Sequence, residues 1–250
     1  MSSEPPVTSE IDGSVAILRL NRPRERNLLT ADVMETLVEA LEELDADPAV
    51  RCVVIAGGRE SFAAGGDIQD ADHQDPADLW RRLREPLTPT VAAVSGYALG
   101  AGWELALSCD LVVASENAEF GQPEIVLGLI PGGGATQRLT RKIGRQRTME
   151  LVLTGRRITA AEAFSLGLVN KVAGKRDWLD EALDLARFVA ARAPLAARLA
   201  KQAVLTAEET PITSGLAEER RLYRQAMATE DRIEAMQAHR EQRRPRFEGR

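Results

Sequence analysis

The sequence predicts an α/β fold followed by a C-terminal part that is almost wholly helical. Three short apolar runs with the character of buried strands alternate with helical segments, at residues 50–56, 91–94 and 111–114. Such alternation is typical of a mostly parallel sheet whose strands are joined by crossover helices. From Asp177 onward only the helical pattern continues, which marks a separate helical appendage.

The length of the chain predicts one main domain with this smaller appendage. At 250 residues the chain lies near the upper limit for a single hydrophobic core. The predicted division is a flexible tail over residues 1–9, an α/β core over residues 10–193 and a helical region over residues 194–250. Hydrophobic residues make up 44% and charged residues 28% of the chain, as in soluble globular proteins, so disorder is expected only at the ends.

The first predicted elements are a hairpin, a long helix and a buried strand. Residues 10–21 contain an Asp-Gly turn followed by alternating apolar residues, which predicts a hairpin or an edge strand. A helix is predicted between the N-cap Thr30 and Asp47, because apolar residues recur on one face: Val33, Leu37, Leu41 and Leu44. Residues 50–56 then form a buried strand that ends at two glycines.

The same cycle of helix and strand then returns. A helical segment over residues 79–84 precedes the strand at 91–94. A glycine-rich turn leads from that strand into a short helix that carries Glu104, and the strand at 111–114 follows. This repetition is the main reason to expect a parallel sheet.

A further helix and strand are predicted before the helical appendage. The order Thr-Ala-Ala-Glu at residues 159–162 matches a capping box, in which the threonine and the glutamate satisfy N–H groups at the start of a helix. Gly167 should end that helix. A short strand over residues 168–172 is expected to follow.

The charge and the cysteines limit the partners and the compartment. The formal net charge is −6, so the protein as a whole repels nucleic acid and anionic membrane surfaces. The first ten residues lack the basic and apolar regions of a signal peptide. Cys52 and Cys109 lie in apolar runs, which indicates buried thiols in a reducing compartment and no zinc ligand set. These features predict a cytoplasmic protein.

Glycines cluster where predicted strands meet helices, and one cluster permits a specific alternative. Gly96, Gly100 and Gly102 fit the spacing G-x-x-x-G-x-G of the dinucleotide turn in short-chain dehydrogenases. That turn follows the first strand of its fold, whereas this one lies in the middle of the chain. The Tyr-x-x-x-Lys pair that handles the proton is missing, since Tyr223 is followed by Met227 at that spacing. Nucleotide binding is therefore set aside.

Two glutamates lie in segments that resemble a known family. Glu104 lies in VSGYALGAGWELALSCDLVVAS at residues 94–115, and Glu124 lies in FGQPEIVLGLIPGGGATQRL at residues 120–139. Together with SFAAGGDI, these segments closely resemble the enoyl-CoA hydratase/isomerase family, the crotonases. Matches to LNRP, LTG and ATEDRIEAMQA extend the resemblance, in order, over residues 10–247.

The resemblance implies a fold, an assembly and a class of substrate. The crotonase fold is a spiral of repeated ββα units, and its C-terminal helical region packs chains into a trimer, often two trimers face to face. The substrate would be an acyl-CoA thioester such as those of fatty-acid β-oxidation. Coenzyme A would be part of that substrate, so neither a separate cofactor nor a metal is implied.

The family pattern also implies the catalytic residues. The negative charge that develops on the thioester oxygen would be met by two backbone N–H groups, which fall at Gly66 and Ala101. Glu104 and Glu124 would bind one water molecule between them, and Gly132 would help to hold that water. In the hydratase hypothesis Glu104 takes a proton as water attacks C3, and Glu124 delivers a proton to C2; the division of roles stays open. Because two close carboxylates cannot both ionise freely, one pKa should be raised.

The expected contacts with coenzyme A are less specific. Relatives often place lysines after the oxyanion turn and near the C terminus, but this chain has Gln69 and Gln242 at about those places. Arg243, Arg244 or Arg246 could substitute, and an ordinary basic tail is the equal alternative. The expected contacts are Arg24, Arg26, Leu28, Ala64, Asp67, Ile68, Arg246 and Phe247; for Asp67 a capping role is the alternative.

The presence of both glutamates favours a hydratase, which adds water reversibly and syn across the 2,3 double bond of a trans-2-enoyl-CoA. An isomerase commonly keeps a single carboxylate, and it stays an alternative, as do hydratases for dehydroadipyl-CoA or branched-chain substrates. RNA binding is known for a relative with a lysine-lined helix, but the matching helix at residues 31–47 contains no lysine or arginine. A non-catalytic scaffold should have lost one glutamate.

Overall fold

The computed structural model describes residues 4–66 and 77–250 of the chain, so Asp67 and Ile68 lie outside the described residues. The strands are β1 (Val7–Asp12), β2 (Val15–Leu20), β3 (Cys52–Ala56), β4 (Ser61–Ala63), β5 (Thr90–Val94), β6 (Tyr97–Leu99), β7 (Leu111–Ser115), β8 (Glu119–Gly121), β9 (Arg157–Thr159) and β10 (Lys171–Ala173). The helices are α1 (Ala31–Ala46), α2 (Ala77–Arg82), α3 (Ala101–Ser108), α4 (Ala135–Ile143), α5 (Arg145–Thr154), α6 (Ala160–Ser165), α7 (Trp178–Ala190), α8 (Pro194–Glu209), α9 (Ile212–Met227) and α10 (Glu230–Arg240).

The strands form two sheets, and successive units of the chain contribute strands to both of them. The larger sheet has the order β1-β2-β3-β5-β7-β10, and the smaller has the order β4-β6-β8-β9. In the larger sheet β3, β5 and β7 pair in parallel, and in the smaller sheet β4, β6 and β8 do the same. Each unit thus contributes one strand to each sheet before its helix, which confirms the expected spiral of ββα units.

The central strands are buried on both faces, because helices and the smaller sheet cover them. All side chains of β3 and β5 are buried. One face packs against α7 through Trp178, Ala182 and Ala186. The other face joins the core that contains α1 and the smaller sheet. This burial explains why the strands are continuous apolar runs in the sequence.

The predicted N-terminal hairpin and first helix are confirmed. β1 pairs with β2 from Val7 opposite Leu20 to Asp12 opposite Val15, so the division proposed at residue 10 falls inside β1. The predicted apolar face of α1 is buried, with Met34 and Val38 beside it. Thr30 occupies the N-cap position, but its hydroxyl donates to the side chain of Asp32 instead of accepting from the helix.

The capping box is confirmed in part, whereas the strand predicted after it is displaced. The N–H group of Glu162 donates to the hydroxyl of Thr159 across 3.2 Å, while the Glu162 carboxylate pairs with Arg156. The strand expected over residues 168–172 begins only at Lys171. The reason is Asn170, whose side-chain oxygen accepts the N–H of Val112 at 2.8 Å and replaces a backbone partner.

The C-terminal helices are attached to the core mainly by polar contacts. α8 has no fully buried side chain, and α9 has one, Leu222. Lys201 on α8 donates to Asp110 at 2.8 Å and to the carbonyl of Thr88 at 3.1 Å. Exposed apolar side chains remain on these helices, such as Val204 at 68% and Ile212 at 76%. Within residues 4–66 and 77–250, no helix is long and apolar enough to cross a membrane.

Candidate active site

Glu104 is a buried carboxylate that lies against the start of another helix. It occupies the first turn of α3, where its N–H donates to the carbonyl of Gly100 at 3.0 Å, and only 2% of the residue is exposed. Its Oε1 atom accepts the N–H of Ala135, the first residue of α4, at 2.9 Å. The N terminus of a helix favours negative charge, so α4 stabilises the ionised form of Glu104.

Gly133 lets the backbone before α4 approach Glu104 closely. A Cβ atom on Gly133 would stand 2.8 Å from Oε2 of Glu104 and 2.5 Å from Cε2 of Trp80. Both distances are shorter than carbon side chains tolerate, so another residue would displace the carboxylate or the indole ring. Trp80 therefore forms an apolar wall beside the carboxylate.

The pKa of Glu104 reflects two opposing influences. The pKa of Glu104 lies above its ordinary value, because burial raises it more than the N–H groups of Ala135, Gly133 and Gly134 and the charge of Arg138 lower it. Arg138 does not touch the carboxylate; its Nη1 atom donates to the carbonyl of Gly133 at 2.7 Å. A buried carboxylate with such donors can ionise and accept a proton from a bound water.

Glu124 lies in a different environment, in a 3₁₀ turn at Pro123–Leu127 directly after β8. Burial, together with the charge of Glu104, raises its pKa from 4.5 to about 7. Part of the Glu124 population is therefore protonated at neutral pH, as a proton donor requires. The raised pKa and its dependence on Glu104 agree with the expectation that one of the two carboxyl groups holds a proton.

Gln122 is a fully buried partner of Glu124. Turned so that its nitrogen faces the carboxylate, the amide donates to Oε1 at 2.8 Å and to Oε2 at 3.1 Å of Glu124. Turned the other way, its carbonyl oxygen can accept the proton of a neutral carboxyl group, since an amide carries both kinds of group. Gln122 can therefore serve Glu124 in both protonation states.

Gly66 and Ala101, the residues with the expected oxyanion N–H groups, lie side by side. A Cβ atom on Gly66 would stand 3.7 Å from the Cβ of Ala101. The segment with Gly66 is fixed by Leu29, whose N–H donates to the carbonyl of Gly65 at 2.8 Å. Within residues 4–66 and 77–250, neither N–H group has an acceptor. In these described parts of the chain, both groups are therefore available to donate to a ligand.

The other predicted site residues are distributed over three places. Gly132 is exposed with open space around it, and Gly133 and Ala135 make the described contacts with Glu104. The first set of expected coenzyme A contacts lies near the oxyanion turn, because the N–H of Ala64 donates to the carbonyl of Arg26 at 3.0 Å. Arg24 and Arg26 are exposed there, and Leu28 is half-buried.

The C-terminal pair of expected contacts is held by other segments of the chain. The N–H of Arg246 donates to Glu234 on α10 at 2.7 Å, and the carbonyl of Phe247 accepts from Arg51 at 2.8 Å. The remaining arginines of this tail line an open cleft of about 860 Å³ together with acidic residues of α10. Arg243 is already paired with Glu234 and Glu241, so it is less free to bind a phosphate.

Sequence reasoning missed four residues of the site: Gln122, Gly133, Ala135 and Arg138. The glycine run before an amphipathic helix was a signal for Gly133 and Ala135, because it predicts exposed N–H groups at a helix start. Arg138 and Gln122 gave no such signal. Gln122 contacts Glu124 two residues on, and Arg138 contacts Gly133, so only the approach of residues 133–135 to Glu104 is a contact between distant segments.

The chain matches known proteins over nearly its whole length. The family described as Enoyl-CoA hydratase/isomerase matches residues 10–250. A probable enoyl-CoA hydratase of Mycobacterium tuberculosis is 46% identical over 246 residues, which cover 95% of this chain and 96% of the relative. The 2,3-dehydroadipyl-CoA hydratase of Escherichia coli is 45% identical over 244 residues, covering 94% of this chain and 96% of the relative.

Solved structures of similar proteins share the fold. An enoyl-CoA hydratase subunit from Geobacillus kaustophilus superposes with a TM-score of 0.95 at 43% identity, over 100% of both chains. An enoyl-CoA hydratase from Bacillus anthracis superposes with a TM-score of 0.93 at 34% identity, over 98% of this chain and 100% of the other. The backbone of this chain therefore follows that of solved enoyl-CoA hydratases over nearly its whole length.

Proposed function

Because the chain belongs to the enoyl-CoA hydratase/isomerase family, we propose that it is a hydro-lyase acting on trans-2-enoyl-CoA thioesters. Water adds reversibly and syn across the 2,3 double bond to give a 3-hydroxyacyl-CoA. One observation carries this proposal: Glu104 is held by N–H donors that favour its charge, while Glu124 has a pKa of about 7. The donors around Glu104 favour the charged form that a base needs, and Glu124 is partly protonated at neutral pH, as an acid needs to be.

In the proposed reaction the two glutamates act on one bound water. Glu104 takes a proton from the water while the water oxygen bonds to C3. The electron pair of the double bond moves toward the thioester oxygen, where the N–H groups of Gly66 and Ala101 stabilise the enolate. Glu124 then gives its proton to C2. Exchange of a proton between the two carboxyl groups restores the starting state, so the active enzyme carries one proton on the pair.

The size of each contribution follows from general enzyme chemistry. One oxyanion donor typically contributes a factor of about 10²–10³ in rate. General acid–base catalysis contributes about 10²–10⁴. The oxyanion donors belong to the backbone, so the side chains of Gly66 and Ala101 matter only through the conformation that they permit.

A hydratase for a specialised enoyl-CoA is the second candidate. The 45% identity to the 2,3-dehydroadipyl-CoA hydratase of Escherichia coli favours this alternative, since that relative is as similar as those named only as enoyl-CoA hydratases. A panel of straight, branched and dicarboxylic enoyl-CoA substrates separates the two candidates by their kcat/KM values. An isomerase would instead convert a 3-enoyl-CoA without forming a hydroxyl product.

We also propose a homotrimer or a dimer of trimers in the cytoplasm, with neither nucleic acid nor a membrane as partner. Support for self-association comes from exposed apolar side chains after β8 and on the C-terminal helices, such as Val126 at 75%, Ile130 at 72% and Ile212 at 76%. Burying such side chains against a second copy of the chain would remove apolar surface from water. Coenzyme A is bound as part of the substrate, with Arg24, Arg26 and Arg246 as proposed contacts and no separate cofactor.

The test follows the absorbance of the conjugated thioester of crotonyl-CoA. The wild type should remove this absorbance, and Glu104→Gln and Glu124→Gln should each lose about 10²–10⁴ in kcat. Glu116→Gln is the matched control, because Glu116 is exposed in the loop after β7, and it should keep full activity. A wild type that hydrates neither crotonyl-CoA nor any other member of the substrate panel would overturn the proposal.

A further inference from the structure

Arg138 is a half-buried arginine that contacts the turn beside Glu104 without contacting Glu104 itself. It lies on α4, about one helical turn after Ala135, and its Nη1 atom donates to the carbonyl of Gly133 at 2.7 Å. A Cβ atom on Gly134 would stand 2.4 Å from the same Nη1 atom. The guanidinium group therefore packs directly on the backbone of residues 133–134.

The opposite side of this turn faces the carboxylate. Ala135 donates its N–H to Oε1 of Glu104 at 2.9 Å, and the N–H groups of Gly133 and Gly134 also lower the pKa of Glu104. The carbonyl of Gly133 and the N–H of Gly134 belong to one peptide group. A cation that binds the carbonyl polarises that peptide and strengthens the N–H as a donor, because hydrogen bonds in a chain reinforce one another.

The charge of Arg138 has no carboxylate in direct contact among the described residues. No ion pair within 4.0 Å involves Arg138 in residues 4–66 and 77–250. The charged groups that face it are Arg84 from the segment after α2, Glu104 from α3 and Glu208 from α8, with Cys109 nearby. Burial and the charge of Arg84 lower the pKa of Arg138, whereas Glu104 and Glu208 raise it.

A half-buried guanidinium that meets no direct counter-ion in residues 4–66 and 77–250 needs another interaction from its described surroundings. The turn at residues 133–135 supplies one, because it lies between the guanidinium and the buried carboxylate. We propose that Arg138 is a positioning residue for the hydration reaction, which orders this turn and keeps Glu104 ionised and aimed at the water. This inference rests on the proposed function, and it adds a residue that does not touch the substrate.

The test compares Arg138→Met and Arg138→Lys with Arg141→Met. Arg141 lies one turn further along α4, is exposed and donates to backbone carbonyls, so it controls for the loss of an arginine from this helix. The measurement is kcat/KM for crotonyl-CoA between pH 5 and pH 9, with thermal unfolding of each variant. The acid limb of this profile reports the protonation of Glu104, whose charged form is the base.

In Arg138→Met the acid limb should move to higher pH by about one unit, because loss of the cation and of the ordered turn favours the neutral form of Glu104. kcat should fall by about 10-fold or more with a smaller change in KM, since the substrate contacts remain. Arg138→Lys should restore much of the acid limb, because it restores the charge. Arg141→Met should match the wild type in every respect.

A purely structural role predicts a different result. Arg138→Met would then melt at a lower temperature and lose activity at all pH values equally, with an unshifted acid limb, and this outcome would overturn the inference. The pKa of Glu104 can also be read without turnover, from the ¹³C carboxyl resonance that disappears in Glu104→Gln. If the wild type hydrates no substrate, the proposed function fails, while the ¹³C titration still decides whether Arg138 controls Glu104.

Discussion

The Oε1 atom of Glu124 lies 3.0 Å from the position that a Cβ atom would occupy on Gly100. Gly100 precedes α3 with φ of 52° and ψ of −126°, a backbone conformation that residues with a side chain rarely adopt. Its carbonyl also accepts the N–H of Glu104 at 3.0 Å. One glycine therefore contacts both carboxyl residues of the site, and its lack of a side chain makes room for one of them.

Gly100→Ala should displace Glu124 and reduce kcat by about 10–100-fold, since misplacement of a catalytic group by an ångström has effects of this size. Gly13→Ala is the control, because Gly13 also has a positive φ, 62°, but has no atom within 4 Å of the added Cβ. Both variants should lose about 1 kcal/mol of stability from backbone strain. Equal activity of the two variants would contradict the proposed position of Glu124.

Ala101→Pro should remove one oxyanion donor while it preserves α3. Proline is accepted at the first position of a helix, where the N–H has no helical partner. The expected loss is about 10²–10³ in kcat. Ala101→Gly keeps the N–H group and should retain most of the activity. Circular dichroism of both variants checks that the helix content is unchanged.

The alkaline side of the pH–rate profile should report Glu124. The active pair of glutamates carries one proton, and the pKa of Glu124 is about 7. Above that pH both carboxyl groups become ionised, so kcat/KM should fall by about tenfold per pH unit. Stopped-flow measurements with crotonyl-CoA up to pH 9 test this. A profile that stays level from pH 7 to pH 9 would rule out Glu124 as the proton donor.

Glu124→Gln should stabilise the protein at alkaline pH. The pKa of Glu124 rises from 4.5 to about 7 on folding, so the folded state holds this proton more tightly. Its contribution to stability is complete below pH 4.5 and is lost as the pH rises through about 7. Glutamine has no charge to bury, so the variant should exceed the wild type by about 1–2 kcal/mol at pH 8. Thermal unfolding at pH 5 and pH 8 measures the difference, which should be small at pH 5.

Lys201→Met should weaken the attachment of α8 to the core. The Lys201 side chain is 11% exposed and its partner Asp110 is 22% exposed, so the lost ion pair leaves a carboxylate that is poorly solvated. The expected cost is about 1–3 kcal/mol. Lys171→Met removes an exposed pair with Glu181 and should change stability by less than about 0.5 kcal/mol. Denaturation at one fixed protein concentration separates this effect from dissociation of an oligomer.

The long apolar elements of this fold could be predicted from the sequence, whereas the short strands could not. β5 and β7 were located because each contains a continuous run of four apolar residues, and α1 because its apolar residues recur along one face over the whole helix. The strands of the smaller sheet have three residues each, which is too few for a period to be recognised. Leu168 and Val169 show the opposite error, since they are apolar and buried but lie before β10, whose first residue is Lys171.

Some residues of the candidate site could likewise be predicted from the sequence, and others could not. Glu104, Glu124, Gly66 and Ala101 were identified through contiguous motifs, which a sequence displays directly. Arg138 was not, because its relation to Glu104 passes through the peptide group of Gly133 and Gly134. A contact of this kind depends on tertiary packing and has no signature in local residue order.

The smaller sheet also determines the spacing of the chemistry. Gly66, Ala101 and Glu124 each follow, within three residues, the end of β4, β6 or β8, and these strands are neighbours in parallel. Adjacent strands stand about 4.8 Å apart in any sheet. The strand spacing therefore sets where the three segments with the proposed catalytic groups leave the sheet. Substitution of side chains leaves this strand spacing unchanged, so variants that differ in sequence around the site can keep the same spacing.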